Sequence, residues 1–254
     1  MTPSANTPPV ANTLTAVVVS RGLDTLLRFC LEALGRALDA CAALDRWTVV
    51  VVDNGSASPY RSEAFPAVEL LRFDCGRSFA AANNAAVREY PADFYLLVNN
   101  DVLMERQSVA DMLAVIAGAA NVGVCGTRML FPDGTIQHCG VVFSSSVGPY
   151  HDHRRKPGDI VPRTDRDLQS VTGACVLIRH QVWTELGGFD EQYGFGLEDI
   201  DFCLRARQMG WRIVCCNRTD SLHFESMTPG RVELDVASRA LFDRRWRGRY
   251  TVDG

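Results

Sequence analysis

Four short polar stretches of the sequence contain the residue types that could carry chemistry. Asp53 follows the apolar run VVVV, and the triplet Asn99-Asn100-Asp101 follows the apolar run FYLLV. The adjacent carboxylates Glu198 and Asp199 come much later, and His223 lies near the end of the chain. A hard divalent cation prefers carboxylate and amide oxygens, and a positioned carboxylate can take a proton from a reacting hydroxyl. These residue types are therefore compatible with a divalent-cation site.

Each stretch also has a purely structural interpretation. Asp53 precedes Asn54-Gly55-Ser56, which is typical of an Asx-turn. Glu198 and Asp199 open a predicted helix, where carboxylates are favoured by the helix dipole. A single histidine such as His223 is more often structural than a ligand. The residue types alone leave both interpretations open.

The elements that must position these residues alternate along the chain. Short β-branched runs predict buried strands, and apolar residues at three- and four-residue steps predict amphipathic helices. The predicted strands span 14–20, 47–52, 67–73, 93–100, 122–130, 171–180 and 212–217, and the predicted helices span 23–38, 78–90, 108–120 and a segment from about 198 that buries Ile200, Cys203, Leu204 and Met209. This alternation predicts a parallel sheet covered on both faces. Because ligands bind at the carboxyl ends of such strands, Asp53 and Asp101 are expected to share one crevice.

Two other regions allow two interpretations each. Residues 131–168 are less regular, with a hairpin-like turn at 132–134 and a polar loop predicted to be mobile. The loop segment 151–153, His-Asp-His, could bind a metal, although a solvated loop is favoured. Phe242 and Trp246 lie among arginines near the end of the chain. They predict either a packed terminal helix or a basic, aromatic patch near an anionic acceptor or a membrane surface.

Composition excludes several classes of protein. The chain has 254 residues, 47% hydrophobic and 22% charged, which is typical of a soluble globular protein. The net charge of −4 gives no support for nucleic-acid binding. Nine cysteines without a C-x-x-C pair, most of them inside apolar runs, predict buried free thiols and a reducing cytoplasm. No apolar run approaches the roughly 20 residues that span a bilayer, and residues 1–13 are predicted to be a disordered tail rather than a signal peptide.

Common nucleotide and hydrolase motifs are missing from the sequence. The first predicted strand is followed by SRGLD rather than by G-x-G-x-x-G, and no G-x-x-x-x-G-K-[ST] occurs. A dinucleotide oxidoreductase and a P-loop enzyme are therefore poorly supported. The lack of G-x-S-x-G weighs against an α/β-hydrolase.

Taken in order, the polar stretches match a known pattern. The sequence resembles glycosyltransferase family 2, the inverting sugar-nucleotide transferases with a GT-A fold, and most resembles its bacterial rhamnosyltransferase-like branch. The matching stretches are VVVSRG, VVVVDNGS, SFAAANNAA, LLVNND, DGTIQHCGVVF, TGACVLIRHQVWTELGGFDE, EDIDFCLRARQMGWRI and HFESMT. They cover residues 14–228, and the run 172–213 is the most specific part.

The resemblance implies a role for each matching residue. Asp53 corresponds to the carboxylate that meets the nucleobase or ribose, Asp101 to the metal-binding residue of the D-x-D motif, and His223 to a second metal ligand. Asp199 corresponds to the catalytic base. Asn99 stands in the first place of the motif, where it could bind the cation through a neutral oxygen, bond to the ribose, or do neither. The other positions assigned to substrate binding are Val19, Ser20, Arg21, Arg77, Asn83, Asn100, Gly173, Ala174 and Glu198.

Two features do not fit the pattern simply. The family usually has Asn-x-Gly-Phe where this chain has GRSF, so Gly76 replaces the asparagine and Arg77 could compensate by reaching the base or diphosphate. A helix N-terminus is also expected to lower the pKa of Asp199, which would make it a weaker base.

The resemblance implies a complete set of expectations. The fold is α/β, a GT-A fold with a single Rossmann-like, mostly parallel sheet and helices on both faces. Residues 14–254 would form one domain, with a nucleotide-binding half at 14–101 and an acceptor-binding half with a C-terminal helix at 102–254.

The expected reaction is inverting transfer of a hexosyl or deoxyhexosyl group. A UDP- or dTDP-linked sugar would be the donor. The acceptor would be a hydroxyl of a glycan, a lipid-linked molecule or another compound, in bacterial polysaccharide or glycoconjugate synthesis. Mn²⁺ or Mg²⁺ would be the cofactor, and the protein would be cytoplasmic with peripheral contact to the inner face of the membrane. The rivals are a metal-dependent nucleotidyltransferase and an inactive sugar-nucleotide-binding relative.

Overall fold

Strands and helices alternate through the first half of the chain, as the hydrophobic pattern predicts. The computed structural model describes residues 12–22, 24–64, 67–225 and 232–254. Its strands are β1 Thr13–Ser20, β2 Arg46–Asn54, β3 Glu69–Phe73, β4 Phe94–Asn99, β5 Val102–Leu103, β6 Val122–Leu130, β7 Ile136–His138, β8 Val141–Ser144, β9 Gly148–His151, β10 Arg166–Leu168, β11 Cys175–Arg179 and β12 Arg212–His223. Its α-helices are α1 Asp24–Asp39, α2 Phe79–Glu89, α3 Ser108–Gly118, α4 His180–Leu186, α5 Glu198–Gln208 and α6 Val232–Trp246.

One mixed sheet runs through both halves of the described chain. Its order is β10-β12-β6-β11-β4-β1-β2-β3, with β5 paired to β12 and β7 paired to β6. Strands β1, β2, β3, β4, β6 and β12 all point the same way, which confirms the mostly parallel sheet. The carboxyl ends of these six strands therefore lie along one edge, and the antiparallel β11 begins at that same edge.

Helices cover both faces of this sheet. On one face α1 and α3 bury apolar side chains such as Leu27, Leu34 and Met112 against β1 and β4. On the other face α2, α4 and α5 pack against the same strands. Residues 200, 203 and 204 of α5 point inward as predicted, but Met209 does not. The helix ends at Gln208, so Met209 lies beyond its last turn and is 52% exposed.

The less regular middle of the chain forms short elements against the main sheet. Strands β6 and β7 form the predicted hairpin, whose turn is closed by a 2.8 Å bond from the Phe131 N–H to the Thr135 carbonyl. Gly134 adopts φ +81°, which a glycine tolerates. The segment predicted as a mobile loop contains the end of β9, a 3₁₀ turn at Gly158–Ile160 and β10.

The two ends of the chain refine the sequence-based boundaries. Thr13, placed in the predicted tail, already belongs to β1, while residues 1–11 of that tail lie outside the described residues. Leu23, the first residue of the predicted first helix, also lies outside the described residues, as do residues 226–228 of the matching stretch HFESMT. Phe242 and Trp246 are buried against α5 and β8, which favours the packed-helix interpretation. Within the described ranges, no helix combines the length and apolar character needed to cross a bilayer.

Candidate active site

The pairing of β5 with β12 brings the two predicted metal ligands together. Asp101 follows the end of β4, and the next residue, Val102, pairs with His223 at the end of β12. His223 Nε2 consequently lies 3.2 Å from Asp101 Oδ1. Both side chains are buried, at 4% and 5% exposure. The pair is therefore held in a fixed geometry at the carboxyl edge of the sheet.

The geometry of this pair fits two neighbouring ligands of one cation. Ligand atoms at about 2.1 Å from an octahedral ion, at right angles to each other, are about 3 Å apart. His223 Nδ1 is buried without a hydrogen-bond partner in the described part of the chain. Among the described residues, no third histidine, cysteine or carboxylate joins the pair closely enough to complete a protein-only site. The other coordination positions would remain available to phosphate oxygens and water.

Asp199 is held at the same edge by backbone donors. It lies in the first turn of α5, after Leu197, which adopts the left-handed φ of +72°. The Gly173 N–H donates to its Oδ2 at 2.6 Å, and the Ile200 N–H donates to its Oδ1 at 2.8 Å. Burial raises the pKa of Asp199 despite these bonds, which is opposite to the lowering expected from the helix N-terminus. A raised pKa makes the carboxylate a stronger base.

Gly173 and Ala174 connect the predicted base, Asp199, to strand β4, which precedes the predicted metal ligand Asp101. The Asn99 N–H donates to the Ala174 carbonyl at 2.8 Å, so the end of β4 is bonded to the chain beside Asp199. A Cβ at Gly173 would approach Asp199 Cβ to 3.0 Å, which explains the glycine. The predicted base is thus joined to the strand before Asp101 by one hydrogen bond from a backbone N–H to the Asp199 side chain and one between backbone groups.

Glu198 is a buried carboxyl group beside the predicted base, Asp199. It is 5% exposed, and its Oε2 has no hydrogen-bond partner in the described residues. Burial, together with the neighbouring charge of Asp199, raises the pKa of Glu198 to about 8. Glu198 is therefore largely protonated at neutral pH and can offer a hydrogen bond.

Asp53 is placed at the edge as predicted, but the protein already occupies its oxygens. The Ser56 and Tyr60 N–H groups donate to its two oxygens at 3.0 and 3.1 Å, and Arg72 forms an ion pair with it. Burial alone would raise the pKa of Asp53, but these hydrogen bonds outweigh it and hold the pKa below its ordinary value. The Asx-turn interpretation accounts for these contacts, and donor binding by Asp53 stays a prediction.

The end of β1 carries a small polar network next to Asp53. Ser20 accepts a 2.8 Å bond from the Asn100 amide and lies 2.9 Å from the Tyr60 hydroxyl. Val19 is half-buried and Arg21 is exposed. For Asn99 the structure gives only backbone bonds, and its half-buried amide has no partner among the described residues. These side chains line the edge where β1 and β4 end.

The departure from the family pattern at Gly76 has a structural explanation. A Cβ at Gly76 would come within 3.0 Å of Arg21 Nη1, so the missing side chain leaves room for that guanidinium. Asn54 clamps the same loop, because its side chain bonds to both the N–H and the carbonyl of Arg77 at 2.8 and 3.0 Å. The exposed Arg77 guanidinium lies 4.1 Å from the centre of the Phe73 ring. Arg21 and Arg77 therefore flank the predicted nucleotide-binding site.

Asn83 lies below the site within α2. Its amide nitrogen donates to the Phe79 carbonyl at 2.9 Å, and its buried Oδ1 lacks a partner in the described residues. Phe79 in turn lies against Gly173, since its ring is 3.5 Å from the position of a Cβ there. Asn83 is thus adjacent to the site without an observed contact to the other candidate residues.

The predicted alternative metal segment at 151–153 does bring ligand types together. Asp152, His153 and Cys139 converge within bonding reach of one ion. Arg166, however, forms a 2.8 Å ion pair with Asp152 and lies 3.7 Å from the Cys139 sulfur. A guanidinium therefore already satisfies this cluster, which favours a structural role. His151 instead pairs with the ring of His138, Nδ1 to Nδ1 at 2.9 Å.

Three supporting residues were not predicted from the sequence. Tyr60 and Arg72 hold Asp53, and the Thr172 hydroxyl bonds to Asp199. Thr172 adjoins Gly173 in the matching stretch TGACVLI and could have been identified there. Tyr60 and Arg72 carry no local signal, since their partners depend on the fold.

Comparisons with known proteins agree with this architecture. Residues 9–239 match the family described as glycosyltransferase like family 2. The chain is 32% identical over 210 residues to the O-antigen biosynthesis protein RfbC of Myxococcus xanthus, covering 77% of this chain and 16% of that protein. It is 24% identical over 216 residues to the N-acetylglucosaminyl-diphospho-decaprenol L-rhamnosyltransferase of Mycobacterium tuberculosis, covering 72% of this chain and 68% of that protein.

Solved structures with low sequence identity share the fold. GalNAc-T7 bound to UDP, GalNAc and Mn²⁺ superposes with a TM-score of 0.72 at 12% identity, covering 94% of this chain and 49% of that one. The mannosyltransferase PcManGT of Pyrobaculum calidifontis, bound to GDP-Man and Mn²⁺, superposes with a TM-score of 0.63 at 16% identity. The match covers 87% of this chain and 59% of that one. The matching family sequence spans most of the chain, and the sheet is that of the GT-A transferases. The chain therefore belongs to glycosyltransferase family 2 and has the GT-A fold.

Proposed function

We propose that this chain is an inverting, metal-dependent glycosyltransferase that moves a sugar from a UDP- or dTDP-linked donor to an acceptor hydroxyl. The observation that carries the proposal is the convergence of two different chemical groups at one sheet edge. Asp101 and His223 form a buried pair of metal-ligand types 3.2 Å apart. Asp199, held by the Gly173 N–H at 2.6 Å, is a half-buried carboxylate joined to the same edge.

The chain's own residues divide the reaction between them. Asp199 would accept the proton of the attacking hydroxyl, and its raised pKa suits that task. Glu198, largely protonated at neutral pH, could donate a hydrogen bond to a sugar or acceptor oxygen. Ser20, Asn100 and Arg77 would bind the nucleotide part of the donor at the carboxyl edge of the sheet. Attack from the side opposite the leaving nucleotide inverts the anomeric centre.

Asp101 and His223 would hold the cation. When bound, the ion supplies Lewis-acid stabilisation of the diphosphate that leaves. A nitrogen ligand suits a transition-metal ion better than the harder Mg²⁺, so Mn²⁺ is proposed ahead of Mg²⁺. The structural neighbours GalNAc-T7 and PcManGT carry Mn²⁺ in their structures, which supports this choice.

The acceptor is proposed to be a lipid-linked glycan in bacterial polysaccharide or glycoconjugate synthesis. The names of two relatives, an O-antigen biosynthesis protein and a diphospho-decaprenol rhamnosyltransferase, support this class. Work on such an acceptor would take place in the cytoplasm, with peripheral contact to the inner face of the membrane. Exposed Arg244, Arg247 and Arg249 around the end of α6 would favour an anionic surface.

The proposal is tested with the full chain and a panel of sugar nucleotides in the presence of Mn²⁺. A matching donor should raise the melting temperature, and incubation with glycan acceptors should release a nucleoside diphosphate and a product of inverted configuration. Asp199→Asn should keep the thermal shift but lose transfer by about 10²–10⁴-fold. Asp39→Asn, an exposed carboxylate at the far end of α1, is the matched control and should transfer normally.

Two outcomes would replace this proposal. Release of pyrophosphate from a nucleoside triphosphate would indicate the nucleotidyltransferase instead. Donor binding without transfer to any acceptor, equal in the wild type and in Asp199→Asn, would indicate an inactive binding relative.

A further inference from the structure

Strand β12 changes its register against β6 shortly before it reaches His223. Cys216 pairs with Thr127, and Ser221 pairs with Met129. The four residues 217–220 therefore lie opposite one position of β6, three more than a regular ladder would place there. Because side chains alternate between the faces of a strand, an odd number of extra residues also reverses the face of everything that follows.

The register after this bulge is the one that brings His223 to Asp101. His223 pairs with Val102 in β5, and its Nε2 then lies 3.2 Å from Asp101 Oδ1. In an unbulged ladder, Asp220 would take the position that His223 occupies, and the imidazole would lie three residues further along. The proposed metal pair therefore depends on this bulge.

Arg128 is the β6 residue opposite the bulge, and its side chain is completely buried. Its Nε lies 2.8 Å from Asp220 Oδ1, and its Nη1 donates to the Val161 carbonyl at 2.9 Å. Asp220 also forms a 2.6 Å ion pair with Arg163, whose side chain is 55% exposed. The Asp220 carboxylate thus pairs with the buried guanidinium of Arg128 on one side and with the solvent-exposed guanidinium of Arg163 on the other.

We propose that Arg128 is a positioning residue for the metal site, which fixes the bulge through Asp220 and so holds His223 beside Asp101. The inference rests on the proposed function, because it assumes that His223 binds the cation. A buried guanidinium must keep a charged partner, so Arg128 selects the register that places Asp220 beside it. The exposed Arg163 has water as an alternative and exerts little such selection.

The test measures Mn²⁺ affinity of the full chain, by the electron paramagnetic resonance of free Mn²⁺, with UDP, dTDP and GDP in turn. Arg128→Met keeps much of the side-chain volume and removes the charge. It should weaken Mn²⁺ binding by about 10–100-fold, as loss of a supporting residue typically does. Arg163→Gln removes the exposed partner of the same carboxylate and should stay within about twofold of wild type. His223→Ala removes the proposed ligand itself and should cause the largest loss of Mn²⁺ affinity.

Further measurements separate positioning from a general loss of structure. Nucleotide binding without Mn²⁺ should be unchanged in Arg128→Met, because β1 and β2 lie far from β12 in the sheet order. Arg128→Lys restores a charge near Asp220 and should recover part of the Mn²⁺ affinity. If Arg128→Met does not fold, Asp220→Asn, which preserves the shape of the side chain, should weaken Mn²⁺ binding in the same direction.

The outcomes distinguish this inference from the proposed function. If His223→Ala loses Mn²⁺ affinity while Arg128→Met and Asp220→Asn both match wild type, the positioning role is wrong and the metal site stands. If His223→Ala binds Mn²⁺ as well as wild type does, the metal role in the proposed function is itself wrong.

Discussion

At the scale of single residues, the site depends on two adjacent carboxyl groups whose burial changes their chemistry. Sequence position alone places Asp199 at a helix N-terminus, where its pKa should fall. The structure buries Glu198 and half-buries Asp199, and the loss of hydration raises the pKa values of both groups. Burial depends on which segments cover the helix end, and the local sequence does not contain that information. The family resemblance identifies Asp199 as a candidate base. The direction of its pKa shift can be predicted only once the fold is known.

This burial makes a prediction about stability and pH. The pKa of Glu198 is about 8 in the folded chain against an ordinary value of 4.5. Between these values the folded chain keeps a proton that the unfolded chain has lost, so the stabilisation is complete below about pH 4.5 and is lost as pH rises towards 8. Glu198→Gln imitates the protonated form. Its stability relative to wild type should therefore increase with pH, by at most about 1.4 kcal/mol per pH unit.

Urea denaturation of both proteins at several pH values between 5 and 9 would measure this difference, and groups common to both proteins cancel in it. A stability difference that stays constant over that range would show that Glu198 titrates normally.

At the scale of elements, the contact between α5 and α6 fixes the first turn of α5, where Glu198 and Asp199 lie. Asp201, two residues after the proposed base Asp199, is completely buried. Its oxygens accept bonds from the Tyr193 hydroxyl at 3.1 Å, Trp246 Nε1 at 2.8 Å, Arg245 at 3.0 Å and Arg205 Nε at 2.7 Å. This one carboxylate joins α5, the segment before it and the C-terminal helix.

Replacement of Asp201 by Asn should therefore destabilise the chain strongly. Arg205 would lose its ion pair with the buried carboxylate, and Arg245 would keep only its ion pair with Asp190 among the described residues. Breaking a buried ion pair typically costs about 3–5 kcal/mol. Asp243→Asn is the matched control, since Asp243 pairs with Arg247 on the exposed face of α6 and should contribute less than about 0.5 kcal/mol. Equal urea midpoints for the two variants would contradict a central role for Asp201.

The elements also show what periodicity can and cannot predict. The helices α1, α2, α3 and α5 follow the three- and four-residue apolar pattern closely. The strands β1 and β2 follow their β-branched runs, and β4 follows its apolar run. The direction of β11 is a different matter, because a continuous apolar run indicates burial on both faces and nothing about its neighbours. Its antiparallel insertion between β4 and β6 is what places Gly173 and Ala174 at the carboxyl edge of the parallel strands, beside the proposed site. Likewise, the bulge in β12 leaves no local signal in NRTD.

At the scale of the whole molecule, one continuous sheet covered on both faces accounts for the cysteines. All nine are free thiols in the structure, and eight of them are buried. The predicted burial of Cys30, Cys125, Cys175 and Cys203 is confirmed. The exception is Cys75, which lies in the exposed loop beside Gly76 and Arg77.

The distribution of thiols predicts how the native chain should react with Ellman's reagent. One thiol per chain, Cys75, should react rapidly, because the buried thiols are both inaccessible and held protonated. Burial raises the pKa of Cys203, for example, to about 12, and only the thiolate attacks the reagent. In denaturant all nine thiols should react. Cys75→Ser should abolish the rapid phase and leave eight slow thiols, whose rate would then report opening of the whole fold. A second rapid thiol in that variant would show that one face of the sheet opens independently of the other.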